Sequence, residues 1–232
     1  MMATYLKSLN CSECQKKISI FRFLTDEELK IMNDNRQEVI FNAGEMIFKQ
    51  GSPLTHIACL IIGMAKIYIE GFNRKNLILK IAQPGEIIVG PGLFVDYKHH
   101  FSVTTIEDAM ACFIHVDAIR DVITRNPAFA LEMLKQVHES DIKCYEKLIN
   151  LTQKQMHGRV ADALLYLSHA VYKSNDFRTV LSRQEMAELS AMTKESVIRI
   201  IKEFRDENIL QVEGNRFNIL QEEALLNISL KG

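Results

Sequence analysis

The chain has 232 residues, 47% of them apolar and 25% charged, with a net charge of −1. That allows one large domain or two modest ones, with enough apolar material for a core that needs neither metal nor disulfide. The balance excludes a strongly basic nucleic-acid module, so charge cannot argue for that class; the longest apolar run, Ile57 to Ala65, is far short of the roughly 20 residues of a membrane span.

The N-terminal Met1 to Lys7 lacks a basic segment followed by an apolar stretch, so the cytoplasm is the expected compartment. Cys11, Cys14, Cys59, Cys112 and Cys144 are an odd set without a disulfide-scaffold spacing. In a reducing compartment they are expected as thiols, either buried or used as metal ligands.

From about Val39 to Val116 short β-branched or aromatic runs alternate with glycine. Val39–Phe41, Met46–Phe48, Ile57–Ile61, Ala65–Ile69 and Leu77–Leu79 read as strands, punctuated by Gly44, Gly51, Gly63, Gly71 and Gly85. Glycine supplies the positive φ of tight turns, so the rhythm predicts an antiparallel roll or barrel. Asn126-Pro127 then reads as a helix start, since proline fits the first turn. No glycine or further proline intervenes before about Thr152, and Phe129, Leu134, Val137, Ile142, Tyr145, Leu148 and Ile149 recur near helical spacing. So long a stripe needs a partner. An identical helix from a second chain is the simplest one, and the chain's own β domain is the alternative. A further helix is expected from Arg159 to Tyr172, followed by a polar loop from Lys173 to Arg178.

Ser182-Arg183-Gln184-Glu185 has the form of a capping box, serine at the N-cap and glutamate three residues on. It opens a short helix ending at Ala191-Met192-Thr193, where Thr193 can cap a second helix running to about Glu207 with Val197, Ile200, Ile201 and Phe204 on its apolar side. Two helices joined by a tight turn form a helix-turn-helix. Lys194, Glu195, Ser196 and Arg199 would then face the major groove, where arginine can fork onto guanine and glutamate can accept from cytosine. Ile209–Val212 and Arg216–Ile219, joined through Gly214-Asn215, read as a hairpin wing. The plainer alternative is a generic helical pair with a surface ion pair between Glu195 and Arg199.

The segment from Leu181 to Ala187 with Thr193 to Arg199 resembles the helix-turn-helix of the Crp/Fnr family of bacterial regulators. Gly44-Glu45-Met46-Ile47-Phe48-Lys49-Gln50-Gly51, and Pro84-Gly85-Glu86-Ile87-Ile88 leading to Gly92-Leu93-Phe94, resemble that family's β-roll. The match spans nearly the whole chain. It implies an α+β protein with an N-terminal cyclic-nucleotide-binding-like β-roll, a long dimerisation helix and a C-terminal winged helix-turn-helix. The corresponding boundaries are a tail at 1–20, a sensor domain at 21–125, a dimerisation helix at 126–155 and a DNA-binding domain at 156–232. The implied function is a non-enzymatic, homodimeric transcription regulator that reads pseudo-palindromic double-stranded DNA and meets RNA polymerase. Base reading then falls to Glu195 and Arg199 with Thr193, Lys194, Ser196 and Lys202 around them, and phosphate contacts to Arg183 and Gln184.

The same resemblance divides on the signal. Members that bind cyclic AMP have a glutamate before the Gly-Leu-Phe turn and an Arg-Ser pair after it, the arginine neutralising the phosphate. Here Val89-Gly90-Pro91-Gly92-Leu93-Phe94 has no glutamate, and His99-His100-Phe101-Ser102 has histidine where arginine is expected. Cyclic AMP is therefore not the expected effector. Oxygen-sensing members hold an iron–sulfur cluster on cysteines; Cys11, Cys14 and Cys112 match three ligands, and Ile20 stands where another would be, whereas the usual cluster needs four. Alternatively Cys112 is a buried strand residue, with Cys11 and Cys14 remnants or a redox pair. His99 and His100 are open as haem or metal ligands, the simpler expectation being two solvent-exposed loop side chains. A rival from another class is a redox or small-ligand sensor whose helical domain contacts a protein instead of DNA.

Overall fold

The computed structural model describes residues 18–232. Cys11 and Cys14 lie outside the described residues. The chain divides into two compact units, one taking the described residues up to Lys66 with Ala82–Asp141, the other Ile67–Ile81 with Ile142–Gly232.

In the first unit a 3-10 turn at Ser19–Phe23 leads into α1 (Asp26–Asp34). Thr25 caps it: its hydroxyl accepts from the Glu28 N–H while Glu28 accepts from the Thr25 N–H, satisfying two end groups reciprocally. The strands are β1 (Arg36–Phe41), β2 (Met46–Phe48), β3 (His56–Ile62), β4 (Ala65–Glu70), β5 (Asn76–Ala82), β6 (Ile87–Ile88), β7 (Ser102–Thr105) and β8 (Ala109–His115). The glycine-punctuated runs are thus strands, joined by three that their sequence does not announce. One sheet has the order β1-β8-β3-β6, and β2 pairs antiparallel with β7. In the first sheet β8 is central, with Cys59 of β3 directly opposite Cys112.

The covering layer of that sheet is helical. Ile20, Phe21, Leu29 and Met32 pack with Ile57, Ile61, Ile114, Ile119, Val122 and Phe129, all but sealed from water. Ile119 and Val122 come from α2 (Val116–Arg125), which begins immediately after β8. Phe129 comes from α3 (Pro127–Gln153), a helix of 27 residues. Asn126 fixes its start. The side-chain oxygen accepts from the Phe129 N–H at 2.9 Å, and the amide donates to the Phe23 carbonyl and to Glu28 at 2.8 Å each.

In the second unit, β4 and β5 form a hairpin closed by the Gly71 N–H on the Lys75 carbonyl. The Ile81 N–H donates to the hydroxyl of Tyr166 at 2.8 Å. Tyr166 ends α4 (Met156–Tyr166), which continues as a π-helical segment at Leu167–Tyr172. The expected polar loop from Lys173 to Arg178 is not all loop: Asp176–Arg178 is a strand, β9. It forms the third member of the sheet β10-β11-β9 with β10 (Leu210–Glu213) and β11 (Arg216–Ile219). Its phenylalanine, Phe177, stacks on Phe217 across the pair, so a core aromatic inside a polar run secures it. Between these strands lie α5 (Arg183–Ser190) and α6 (Lys194–Asp206), and α7 (Glu222–Lys231) ends the chain. Gly158 lets α7 seat on α4, since a Cβ there would meet the Gly232 carbonyl carbon at 2.7 Å.

Candidate nucleic-acid interface

The local chemistry of residues 182–206 defines the interface. The Ser182 hydroxyl accepts from the Glu185 N–H, and Glu185 accepts from the Ser182 N–H at 2.8 Å, so the capping box forms as expected. α5 buries Met186, Ala187 and Leu189 and stops at Ala191, whose φ of 52° is left-handed. A non-glycine residue there costs about 1–2 kcal/mol. It is held by the Ala191 and Met192 N–H groups, both donating to the Ala187 carbonyl.

The turn delivers Thr193 as N-cap of α6, its hydroxyl oxygen accepting from the Ser196 N–H at 3.3 Å and its proton directed at the Ser196 hydroxyl at 3.0 Å. α6 buries Val197, Ile200, Ile201 and Phe204. Burial of one side leaves Lys194, Glu195, Arg199 and Lys202 exposed on the other. A helix that presents its first two turns this way can offer charge-matched donors and acceptors to base edges.

Arg199 does not pair with Glu195. It donates to Glu203 at 2.7 Å, one turn on, and the other oxygen of Glu203 lies 2.7 Å from His157 of α4. The His157 bond, then Arg199, hold the Glu203 carboxyl below its usual range. Arg199 is therefore held on a neighbouring carboxylate at the exposed side of α6. Gln184 is exposed and reaches Glu188 at 3.4 Å.

Arg183 is engaged inside the fold. It donates to the Gly214 carbonyl at 2.7 Å and to the Met186 sulfur at 3.3 Å, and its guanidinium lies over the Phe217 ring at 4.8 Å. Burial lowers its pKa from the usual arginine value. Arg183 thereby pins the wing turn, where Gly214 alone of the Gly214-Asn215 pair has positive φ, as a type II′ loop requires. A cleft of about 350 Å³ opens beside it, lined also by Ile198, Lys202, Arg205 and Val212. Arg205 and the role of Arg183 in the wing are not legible in the helix-turn-helix pattern, because both depend on the long-range approach of β10 and β11.

The sensor residues are placed differently. Cys112 is buried in the middle strand, where its sulfur accepts from Arg36 at 3.6 Å. Among the described residues no group of three histidine, cysteine, aspartate or glutamate side chains is arranged to hold a metal ion. Cys144 is exposed on α3. His99 departs from the expected exposed pair: it is 4% exposed and stacks on Phe48 with ring centroids 4.1 Å apart, and burial lowers its pKa. His100 is exposed and lies 3.1 Å from Asp96. The Gly92 turn is held by packing, as a Cβ there would meet the Lys98 carbonyl oxygen at 2.0 Å.

Comparison with known proteins places both units in context. Residues 38–126 match the cyclic nucleotide-binding domain and residues 158–228 the Crp-like helix-turn-helix domain. The fumarate and nitrate reduction regulatory protein of Yersinia pestis is 22% identical across 96% of this chain and 91% of its own. The CRP-like cAMP-activated global transcriptional regulator of Mycobacterium tuberculosis is 24% identical across 92% of this chain and 97% of its own. FixK2 from Bradyrhizobium japonicum shares the fold, with a TM-score of 0.76 at 17% identity over 83% of this chain and 96% of that one.

Proposed function

The chain belongs to the Crp/Fnr family of DNA-binding transcription regulators, which are not enzymes, and from that premise we propose that it works as a homodimer reading a pseudo-palindromic site through α6. The observation that carries this reading is the exposed face of Lys194, Glu195, Arg199 and Lys202 on a helix anchored by its other side. Glu195 and Arg199 read bases, Thr193, Lys194 and Ser196 flank them, and Gln184 and Lys202 meet phosphates. Arg183 serves the same surface from behind, by holding the wing.

Dimerisation is supported by α3. Leu134, Val137, Ile142, Tyr145, Leu148 and Ile149 are 43–62% exposed along it. From Leu134 to Ile149 the stripe runs about 23 Å along the 27-residue helix, and an exposed apolar stripe of that length is a liability unless covered. Asp141 interrupts the stripe, so the seam is not a uniform coiled coil.

The domain at residues 38–126 is the sensor, and its chemistry argues against cyclic AMP. The position that would offer arginine to a phosphate offers His100, already beside the Asp96 carboxylate, which repels an anion. A four-thiolate iron–sulfur cluster does not fit the described residues either. Cys59 and Cys112 lie opposite each other in packed strands, both buried, and among the described residues no third cysteine, histidine or carboxylate joins them to hold a metal. No helix among the described residues is long and apolar enough to cross a membrane. We propose from the family's role in transcription that the dimer acts in the cytoplasm with RNA polymerase as its partner at the promoter.

A salt titration tests the reading. Affinity for a pseudo-palindromic duplex should fall linearly on a log–log plot as salt rises, each phosphate contact adding about 0.9 to the slope, with a second copy of the chain bound per site. Salt-independent binding, or one chain per site, would reject it.

A further inference from the structure

Lys147 is a half-buried cation outside the exposed face of α6. It stands on α3 and donates to the Leu189 carbonyl of α5 at 3.2 Å. The last carbonyls of a helix have no partner within it, and Leu189 lies two residues before the left-handed Ala191 that starts the turn into α6. A positive charge at that end also matches the helix dipole. The nearby carboxylate, Asp162 of α4, is already held by Lys154 at 2.8 Å and by Ser229, so the ammonium of Lys147 has a helix end for its partner.

The position on α3 matters as much as the bond. At 100° per residue, Lys147 lies about 160–200° round the helix from Tyr145 and Ile149, which are 62% and 53% exposed. One helix therefore turns its apolar side outward and its lysine toward the first helix of the helix-turn-helix. We propose that Lys147 is a positioning residue that locks α5, and through the Ala191 turn α6, to the dimerisation helix, and so fixes the spacing between the two recognition helices. The proposal rests on the homodimer reading above.

Burial pushes the Lys147 pKa down to about 8, against the weaker pull of Asp162 and of Cys144 on its own helix. Its donor strength therefore changes in an accessible range. A neutral amine still reaches the carbonyl, but more weakly than an ammonium.

The experiment measures DNA affinity of the full chain on duplexes whose half-sites are at the preferred spacing or one base pair further apart, beside sedimentation to count chains. Wild type should lose about tenfold or more on the longer spacer. K147M, which keeps the apolar stem and removes the donor, should shrink that penalty to about threefold while remaining dimeric. K147R, which keeps donor and charge, should restore it. Raising the pH from 7 to 9 should shrink the penalty in wild type and leave K147R unchanged, an arm that stands even where K147M fails to fold. A purely structural lysine would alter thermal stability and leave spacing preference intact. An undiminished penalty in K147M, or a shared pH profile for wild type and K147R, overturns the proposal alone. A monomeric wild type overturns the dimer reading with it.

Discussion

The helix-turn-helix and the loop from Val89 to Ser102 both carry the residue pattern of a binding element, yet they dispose of their polar groups in opposite ways. In the helix-turn-helix the capping residues are consumed by backbone ends, and Lys194, Glu195 and Lys202 face outward, with Arg199 beside them on the Glu203 carboxylate. In the sensor loop the candidate ligands are themselves consumed: His99 is stacked on Phe48, His100 is beside Asp96, and Gly92 is fixed by the Lys98 carbonyl. A binding pattern keeps its chemistry only where local structure is satisfied by other residues. The exposed face of α6 meets that condition; the loop, as a phosphate cradle, does not.

The contrast can be broken at several points. The largest effect is expected from Leu148→Glu with Ile149→Glu, which places charge on the exposed stripe. Loss of the second copy should weaken binding to a palindrome by about 10²–10⁴-fold, seen as a halved mass in sedimentation and binding no better than to a single half-site. Arg199→Ala comes next, costing about 1–3 kcal/mol and relaxing preference at one base pair per half-site, measured by fluorescence anisotropy on a set of single-base variants. Ser182→Ala removes the capping box and should lower stability by about 1 kcal/mol, read from the denaturant midpoint.

Smaller effects sharpen the comparison. Glu203→Gln releases Arg199 from an exposed ion pair worth at most about 1 kcal/mol, so DNA affinity should rise by about twofold to fivefold. The half-buried Lys147 gives a stability signature with a definite sign. Its folded pKa of about 8 lies below the ordinary 10.5, so between those values the unfolded chain binds more protons and stability should rise with pH. Below about 8 both forms are charged and the dependence vanishes; K147M should flatten the whole rise. Addition of cyclic AMP should change neither thermal stability nor DNA affinity.

Much of this was legible from residue order because the signals are local. Ser182 with Glu185, Thr193 as a cap, Asn126-Pro127 and the glycine-spaced strands each act within a few residues, and the structure forms them at those positions. The box at Thr25-Asp26-Glu27-Glu28 has the same signature and opens α1, but its helix of nine residues is too short for periodicity to stand out. α2 escapes notice because its N-cap is His115, outside the usual capping residues. What sequence could not show is long-range. β9 is secured by Phe177 meeting Phe217, and Arg183 meets the Gly214 carbonyl because the wing folds back to it. Arg199 finds Glu203 instead of Glu195 because His157 of another helix fixes that carboxylate.

The central claim is that the exposed face of α6 reads base sequence from a two-fold dimer, and selection from a random DNA pool by wild type and by Arg199→Ala in parallel tests it most directly. Wild type should enrich an inverted repeat with half-sites about one helical turn apart, and the variant should enrich the same repeat with one position in each half randomised. No enriched sequence from wild type, or identical base preferences from both proteins, would contradict the account.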